Sequence, residues 1–250
     1  MTVSAIIPAA GLGTRMGRAG AGRGTPEKSG TSRKQFMLLE GAPILLHTIR
    51  KFFFCPVVSE IVVALRPEDM DWVRRQLRAE AASKPVLLVA GGEHRHESVR
   101  NGLAAVAADT ELVAVHDAVR PLVTVELIQA VVAKAAESGA AILGIPPVDT
   151  VKQVDRTVIR TTLPRDRIVL AQTPQVFRVD LLRRAYEQAE RDEFVGTDEA
   201  SLVEHLDVEV SVVLGSDRNI KITKPSDMAL ARLFLQEEMS RTEPKPVPAI

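Results

Sequence analysis

The sequence has very few cysteine and aromatic residues. Among its 250 residues are one cysteine, one tryptophan and one tyrosine, and aromatic residues make up 4%. A lone cysteine, Cys55, excludes an internal disulfide, which is typical of proteins in reducing compartments. Cys55 follows three phenylalanines at 52–54, so we expect its thiol to be buried and unreactive.

The sequence also lacks an excess of either charge and any long apolar run. Its 32 basic and 32 acidic residues balance, so no overall field attracts nucleic acid or an anionic membrane, and anion binding must depend on local clusters. No apolar run approaches the ~20 residues that span a bilayer, and the N-terminus does not look like a signal peptide. We therefore expect a soluble, cytoplasmic protein that binds neither nucleic acid nor membrane.

Apolar residues make up 46% of the chain, enough for a sizeable core. Short β-branched and apolar runs alternate with amphipathic stretches, which predicts an α/β protein with a mostly parallel sheet and helices on both faces. Predicted strands lie at 3–7, 61–65, 86–90, 112–115, 141–145, 208–214 and 219–223, and the longer predicted helices at 43–52, 67–82, 99–108, 124–139, 180–190 and 225–239. We expect one domain over 1–239 and a disordered tail over 240–250.

A loop of small residues follows the first predicted strand, with the sequence Pro8-Ala9-Ala10-Gly11-Leu12-Gly13-Thr14-Arg15. Its glycines and alanines let backbone N–H groups approach a phosphate or a base, and Arg15 adds a positive charge. An ordinary tight turn is the alternative, because short glycine motifs have many false positives. A dinucleotide-binding fingerprint fits poorly, since Met16 stands at the third glycine position and no acid follows ~20 residues later.

Residues 18–33 are rich in glycine and basic residues and have no apolar periodicity. They predict either a flexible surface loop or a basic lid over a polyphosphate. Lys34 and Gln35 end this segment.

Two further motifs follow predicted strands, where α/β sheets bind their ligands. In the motif at 91–98, Ser98 either caps the next helix or faces a nucleotide, and His94 and His96 lack a third metal ligand. In the motif at 116–121, Asp117 and Arg120 either contact a ligand or form an ion pair that braces the turn.

Residues 148–164 interrupt the alternation of strands and helices. They predict two strands around a turn at 155–156. Because an isolated hairpin is barely stable in water, we expect this arm to pack against another subunit.

Taken together, the motifs are more specific than any one of them. In chain order they are PAAGLGTR, KQ, GGE with a serine five residues later, HDAVRP, DTVK, QTPQ, GTDEA and NIKIT. This set resembles the 2-C-methyl-D-erythritol 4-phosphate cytidylyltransferase family of the non-mevalonate isoprenoid pathway, over about residues 3–235. The resemblance implies a Rossmann-like nucleotidyltransferase fold with a protruding β-hairpin arm. It also implies CMP transfer from CTP to 2-C-methyl-D-erythritol 4-phosphate, giving 4-diphosphocytidyl-2-C-methyl-D-erythritol and pyrophosphate, with Mg²⁺ or another divalent cation as cofactor.

The resemblance also implies roles for individual residues. Nucleotide-binding positions are Pro8, Ala9, Ala10, Gly11, Leu12, Gly13, Gly92, Glu93, Ser98, Asp117 and Ala118. Transition-state stabilisation falls to Arg15 and Lys34, and positioning of the sugar phosphate to Arg165 and Lys221. The substrate-binding set is Thr150, Arg120, Arg165, Thr173, Thr197 and Lys221. Asp117 is the candidate metal ligand beside the CTP phosphates, and the segment 148–164 is implied to join a homodimer.

The chain departs from the family pattern at four places. The loop over 16–33 is longer, Arg33 replaces a proline, Glu93 an aspartate and Val169 a frequent aromatic residue. None of these changes removes a charge that the reaction needs. A phosphate monoester nucleophile, with a second pKa near ~6, needs no general base. It needs neutralisation and alignment of two anions.

Three rival functions remain open from the sequence. A ribitol 5-phosphate cytidylyltransferase shares the fold and most of the motifs. An NAD-dependent oxidoreductase is disfavoured by Met16 and the missing acid. A non-catalytic nucleotide-binding module would not need Lys34, Arg165 and Lys221 together with the glycine loop.

Overall fold

A seven-stranded sheet forms the centre of the structure, a computed structural model that describes residues 1–11, 33–80 and 84–242. The strands are β1 Val3–Pro8, β2 Leu38–Leu39, β3 Ala42–Pro43, β4 Glu60–Leu65, β5 Val86–Ala90, β6 Leu112–Val115, β7 Ala140–Ile145, β8 Lys152–Asp155, β9 Val158–Thr162, β10 Leu170–Arg178 and β11 Ser211–Leu214. The helices are α1 Ile44–Phe53, α2 Pro67–Arg78, α3 Arg95–Ala105, α4 Val125–Ser138, α5 Val179–Arg191, α6 Glu199–Glu204 and α7 Pro225–Thr242.

The sheet is mostly parallel, as the sequence predicts. Its strand order is β11-β7-β10-β6-β1-β4-β5. β1 pairs in parallel with β4 and β6, β4 with β5, and β7 with β11. β10 runs antiparallel between β6 and β7. The chain leaves β7 and returns through the arm to the same end of the sheet without a crossover helix, so the next strand must run backwards.

Helices cover both faces of this sheet, which confirms the predicted fold class. Alternate side chains of a strand point to opposite faces. Val3, Ala5 and Ile7 of β1 pack in one core cluster with residues of α1, α2 and α4, whereas Ile6 packs in another with α3, α5 and α6. Cys55 lies in the first cluster and is buried, as expected.

Some predicted boundaries are wrong. α3 begins at Arg95 rather than at residue 99, and its N-cap is His94 rather than Ser98. The Glu97 carboxylate accepts the His94 N–H at 3.0 Å, which stabilises this earlier start. Residues 208–210 lie outside β11. α7 continues to Thr242, beyond its predicted end at residue 239, and 243–250 lie outside the described residues.

The predicted strand at 219–223 is also wrong. Asn219 is fully buried, and its side-chain amide donates to the Thr173 carbonyl at 2.9 Å. Ile222 N–H donates to the Val119 carbonyl, and Thr223 N–H to the Asp227 carboxylate at the start of α7. The backbone N–H groups of Ile222 and Thr223 thus donate to a loop and a helix terminus, and the segment forms no strand ladder.

The arm is confirmed as a β-hairpin whose two strands pair only with each other. Every residue of β8 and β9 is exposed, including Val154, Val158 and Ile159 at 56%, 56% and 59%. Within the described ranges, no helix has both the length and the apolar character needed to cross a bilayer.

The close approach of α3 to β1 yields a first prediction. A Cβ at Gly102 would lie 2.6 Å from Cγ2 of Ile6, a stiff, fully buried side chain. We expect Gly102→Ala to lower the free energy of unfolding by about 1–3 kcal/mol, although alanine favours a helix by about 1 kcal/mol. Urea denaturation measures this.

Ala104, exposed on the same helix, provides the matched control. Ala104→Gly should lower stability by about 1 kcal/mol through helix propensity alone. A Gly102→Ala protein as stable as the wild type, or more stable, would show that α3 does not need this close contact.

Candidate active site

The loop after β1 is held by hydrogen bonds to its carbonyl groups. The Gln35 side-chain amide donates to the carbonyls of Ala9 at 2.7 Å and Gly11 at 3.1 Å, and Arg66 Nε donates to that of Ala10 at 3.1 Å. In a trans peptide the N–H points opposite to the C=O. The N–H groups of Ala10 and Gly11 therefore point away from these donors, as anion binding requires. Leu12, Gly13 and Arg15 lie outside the described residues.

The loop after β5 packs directly on the loop after β1. A Cβ at Gly91 would lie 2.4 Å from the Ala10 Cβ, so only glycine fits there. The Ser98 hydroxyl accepts the Gly92 N–H at 3.1 Å and donates to the His94 carbonyl at 3.2 Å. Ser98 thus fixes this loop from the first turn of α3.

Lys34 lies between two anchored residues. Gln35 is buried beneath the glycine loop, and Arg33 forms an ion pair with Asp69 of α2. The Arg33 guanidinium lies 5.4 Å from the centre of the Phe36 ring, which packs edge-on against Trp72. Arg33 therefore fixes this turn through its side chain, where the family pattern has proline.

Asp117, directly after β6, is the electrostatic centre of the site. Its Oδ1 lies 3.3 Å from Arg95 Nε, and its Oδ2 lies 3.3 Å from Arg120 Nε and 3.0 Å from Lys221 Nζ. Burial alone would raise the pKa of Asp117, but Arg95, Lys221 and Arg120 together hold it well below its usual value. The Asp117–Arg120 ion pair, one of the two alternatives from the sequence, is therefore present.

The hydrogen bonds of the His116 side chain fix the backbone around Asp117. The side chain is fully buried, and burial lowers the pKa of His116 to about 4, so the imidazole is neutral near pH 7. Its Nε2 lies 3.0 Å from the Arg120 carbonyl, which can only accept, so Nε2 carries the proton. Nδ1 then accepts from the Thr173 hydroxyl at 3.1 Å, and that hydroxyl accepts the Asp117 N–H.

The predicted site residues line two clefts that share Arg95 and Asp117. The first is lined by residues of the glycine loop, of the Lys34 turn and of the segments around 98 and 118: Pro8, Ala9, Ala10, Gly11, Lys34, Gln35, Ser98, Ala118 and Val119. The second brings together predicted substrate-binding residues from distant segments: Arg120, Thr173, Thr197 and Lys221. Gly92 and Glu93 stand beside the first cleft without lining it.

Two predicted residues lie away from both clefts. Thr150 and Arg165 are exposed on the arm, and Arg165 donates to the Val148 carbonyl at 2.9 Å. Within one chain neither residue lines a cleft.

The described residues contain no preformed metal site. They include no group of three or more His, Cys, Asp or Glu side chains able to hold a metal ion, so His94 and His96 gain no third ligand. Both oxygens of Asp117 already contact cationic side chains. A metal at Asp117 would have to displace one of them.

Sequence reasoning missed Arg95 and Glu199 as parts of the site. Arg95 Nη1 donates to the Glu199 carboxylate at 2.7 Å, across 104 residues of chain. Arg95 lies within the motif at 91–98 and Glu199 within GTDEA. No spacing rule connects these two segments, because they meet only in the folded chain.

The neutral His116 yields a prediction about acid stability. The pKa of His116 is 6.5 in the unfolded chain and about 4 in the folded chain. Between these values only the unfolded chain binds a proton at His116, so the free energy of unfolding decreases as the pH is lowered through this range. Since one pKa unit is worth about 1.4 kcal/mol, the loss from about pH 7.5 to about pH 5 is about 2 kcal/mol. Urea titrations of the wild type and His116→Gln at both pH values measure it.

We expect His116→Gln to lack this part of the loss, because glutamine does not titrate. The other histidines are common to both proteins. Equal losses in the two proteins would show that His116 does not titrate as the structure requires.

Comparison with known proteins identifies the family of this chain. The family model described as 2-C-methyl-D-erythritol 4-phosphate cytidylyltransferase matches residues 3–237. A protein of that name from Solibacter usitatus is 61% identical over 97% of this chain and 99% of its own length. Another from Acidobacterium capsulatum is 49% identical over 96% of this chain and 100% of its own.

Solved structures give the same answer. The 4-diphosphocytidyl-2C-methyl-D-erythritol synthase of Anaerococcus prevotii has a TM-score of 0.80 at 31% identity, covering 94% of this chain and 98% of that one. The 2-C-methyl-D-erythritol 4-phosphate cytidylyltransferase of Thermus thermophilus has a TM-score of 0.73 at 32% identity, covering 94% and 100%. Both the resemblance seen in the sequence and the expected fold are therefore confirmed, and the chain belongs to the 2-C-methyl-D-erythritol 4-phosphate cytidylyltransferase family.

Proposed function

We propose that this chain transfers the cytidylyl group of CTP to 2-C-methyl-D-erythritol 4-phosphate and releases pyrophosphate, in isoprenoid precursor biosynthesis. Its family and its full-length relatives carry this activity in their names. The observation that carries the proposal is the shared wall of the two clefts, where Arg95 and Asp117 line both. Two anionic substrates bound on either side would meet there.

The charges suit a phosphate acceptor. Arg95, Arg120 and Lys221 contact one carboxylate, Asp117, and Arg95 also contacts Glu199. These three cations line the second cleft, where their N–H groups can donate charge-assisted hydrogen bonds to a phosphate monoester dianion. We propose that Lys221 and Arg120 hold the acceptor phosphate, with Thr173 and Thr197 on the same wall.

The first cleft suits the nucleotide. We propose that the N–H groups of Ala10 and Gly11 face the CTP phosphates and that Lys34 stabilises the charge that develops on transfer. Ser98 and Ala118 line the same cleft. We place Gly92 and Glu93 next to the nucleoside and keep Leu12, Gly13 and Arg15 as nucleotide-side residues from the sequence.

The reaction needs no general base from the protein. The acceptor phosphate is largely ionised near neutral pH. Asp117, with its depressed pKa and its cationic partners, is a poor proton acceptor. Alignment and charge neutralisation are then the chain's main contributions.

We propose a divalent cation, Mg²⁺ or a similar ion, as cofactor. When bound, it would neutralise part of the triphosphate charge. Mg²⁺ is commonly held by substrate phosphates and few protein carboxylates. Because Asp117 is engaged by cations, we place the ion mainly on the phosphates of CTP.

We further propose a homodimer in which the arms are exchanged. The exposed apolar residues of β8 and β9 would be covered by a second chain, and a lone hairpin gains stability that way. Thr150 and Arg165 would then reach the acceptor cleft of the partner.

A pyrophosphate-release assay tests the activity. With CTP and Mg²⁺, we expect a higher kcat/KM for 2-C-methyl-D-erythritol 4-phosphate than for ribitol 5-phosphate. Lys34→Ala should lower kcat by about 10²–10³-fold, by analogy with the loss of one oxyanion donor. Lys134→Ala, which removes a surface cation of α4 paired with Glu137, should leave kcat unchanged.

Either of two results would contradict the proposal. A preference for ribitol 5-phosphate would reassign the acceptor. A wild-type kcat in Lys34→Ala would remove Lys34 from the reaction.

Mixing inactive subunits tests the exchanged arms. If each site uses Lys34 of one chain and Arg165 of the other, a heterodimer of Lys34→Ala and Arg165→Ala has one doubly damaged and one intact site. Activity should recover to about half of wild type per heterodimer, as closed two-fold pairing requires.

Each variant mixed with itself is the control, and differently tagged chains report exchange by mass. Demonstrated exchange without recovery would mean that each chain completes its own site. A monomeric wild type in sedimentation would exclude the dimer.

A further inference from the structure

A series of hydrogen-bonded polar side chains runs from Tyr186 of α5 to the wall between the two clefts. Glu199, 1% exposed at the start of α6, accepts from Tyr186 OH at 3.1 Å and from Arg95 Nη1 at 2.7 Å, both at Oε1. Arg95 Nε continues the series to Asp117 Oδ1 at 3.3 Å. None of these contacts is local in sequence, so only the fold assembles them.

The placement of Glu199 is costly for stability. A buried carboxylate is destabilising unless its charge and lone pairs are matched. Among the described residues, no donor reaches its second oxygen, Oε2. A hydrophobic residue of similar volume would commonly be as stable or more stable at such a position. This points to a role in orienting Arg95 rather than in holding the fold.

Tyr186 donates the second hydrogen bond that Glu199 accepts. Burial, followed by the neighbouring Glu199, raises the pKa of Tyr186, so its hydroxyl remains protonated and donates to Glu199. Burial alone would lower the pKa of the Arg95 guanidinium, but Glu199 and Asp117 raise it. Arg95 therefore stays charged next to both carboxylates.

Two contacts on different edges fix the plane of the Arg95 guanidinium. A guanidinium has five N–H donors in a rigid fork, and the carboxylates of Asp117 and Glu199 take two of them. The side chain of Arg95 remains 31% exposed and lines both clefts. Its other donors can therefore reach a phosphate bound at the shared wall.

We infer that Glu199 and Tyr186 are positioning residues that hold Arg95 at the wall between the two clefts, where Arg95 contacts a substrate phosphate. This inference rests on the proposed cytidylyl transfer. Arg95 becomes an additional phosphate-binding residue of the reaction. Glu199 and Tyr186 act only through it.

Steady-state kinetics of three variants test the inference. Glu199→Gln keeps the size of the side chain and removes its charge, and Arg95→Lys keeps the charge but replaces the rigid planar fork of donors with a single ammonium. We expect each to lower kcat by about 10–100-fold, as loss of an outer-shell partner does at metal sites, with a much smaller change in the KM for CTP. Tyr186→Phe should lower kcat severalfold in the same direction.

Glu190→Gln is the matched control. It breaks an exposed ion pair between Arg100 of α3 and Glu190 of α5, neither of which lines a cleft. Its kcat should equal that of the wild type. The Arg95–Glu199 pair joins α3 to another neighbouring helix, α6, so both ion pairs would matter alike if α3 merely had to be held against its neighbours.

The double variant separates positioning from structural support. If Glu199 acts through Arg95, Glu199→Gln should have no further effect on kcat in an Arg95→Lys background, because the two residues form one unit. Multiplying effects, or a wild-type kcat in Glu199→Gln with only a lower Tm, would overturn the inference.

The remaining outcomes are also decisive. If Glu199→Gln does not fold, Tyr186→Phe carries the test, and its wild-type kcat would overturn the inference. A wild-type protein without activity on CTP and the acceptor would instead refute the proposed function, while active wild type with unaffected variants refutes only the role of Glu199 and Tyr186.

Discussion

One buried carboxylate holds together three cationic side chains that would otherwise repel one another. Asp117 contacts Arg95 of α3, Arg120 of the turn after β6 and Lys221 of the segment before α7. Its side chain is 9% exposed, so solvent screens these interactions only weakly. Because the three cations come from three parts of the chain, Asp117 also fixes the relative positions of the two clefts.

The backbone under Asp117 is fixed by neutral groups. His116 connects the Arg120 carbonyl with the Thr173 hydroxyl, and Asn219 donates to the Thr173 carbonyl. Thr173 belongs to β10, the strand that runs against its neighbours. The arm follows the carboxyl end of β7 and leads into the start of β10, so Thr173 lies at the same edge of the sheet as Asp117.

The sequence was sufficient wherever one local rule dominates. Short apolar runs predict β4, β5 and β6. The helix between Thr124 and Gly139 has the predicted cap, with Leu127 N–H donating to Thr124, and a glycine at φ 84°. Local rules failed where distant partners decide. The segment at 219–223 has strand-like alternation, yet loops take its hydrogen bonds, and the link from Arg95 to Glu199 has no local signal.

The proposed reaction requires the acceptor and nucleotide phosphates to meet at the wall formed by Arg95 and Asp117. A crystal structure with an unreactive CTP analogue and 2-C-methyl-D-erythritol 4-phosphate tests it most directly. We expect the acceptor phosphate within hydrogen-bond distance of Lys221 or Arg120, about 2.7–3.2 Å, and the CTP phosphates against Gly11 and Lys34. An acceptor phosphate bound away from this wall, with the contacts of Asp117 intact, would show that Arg95 and Asp117 do not form the meeting point of the two substrates.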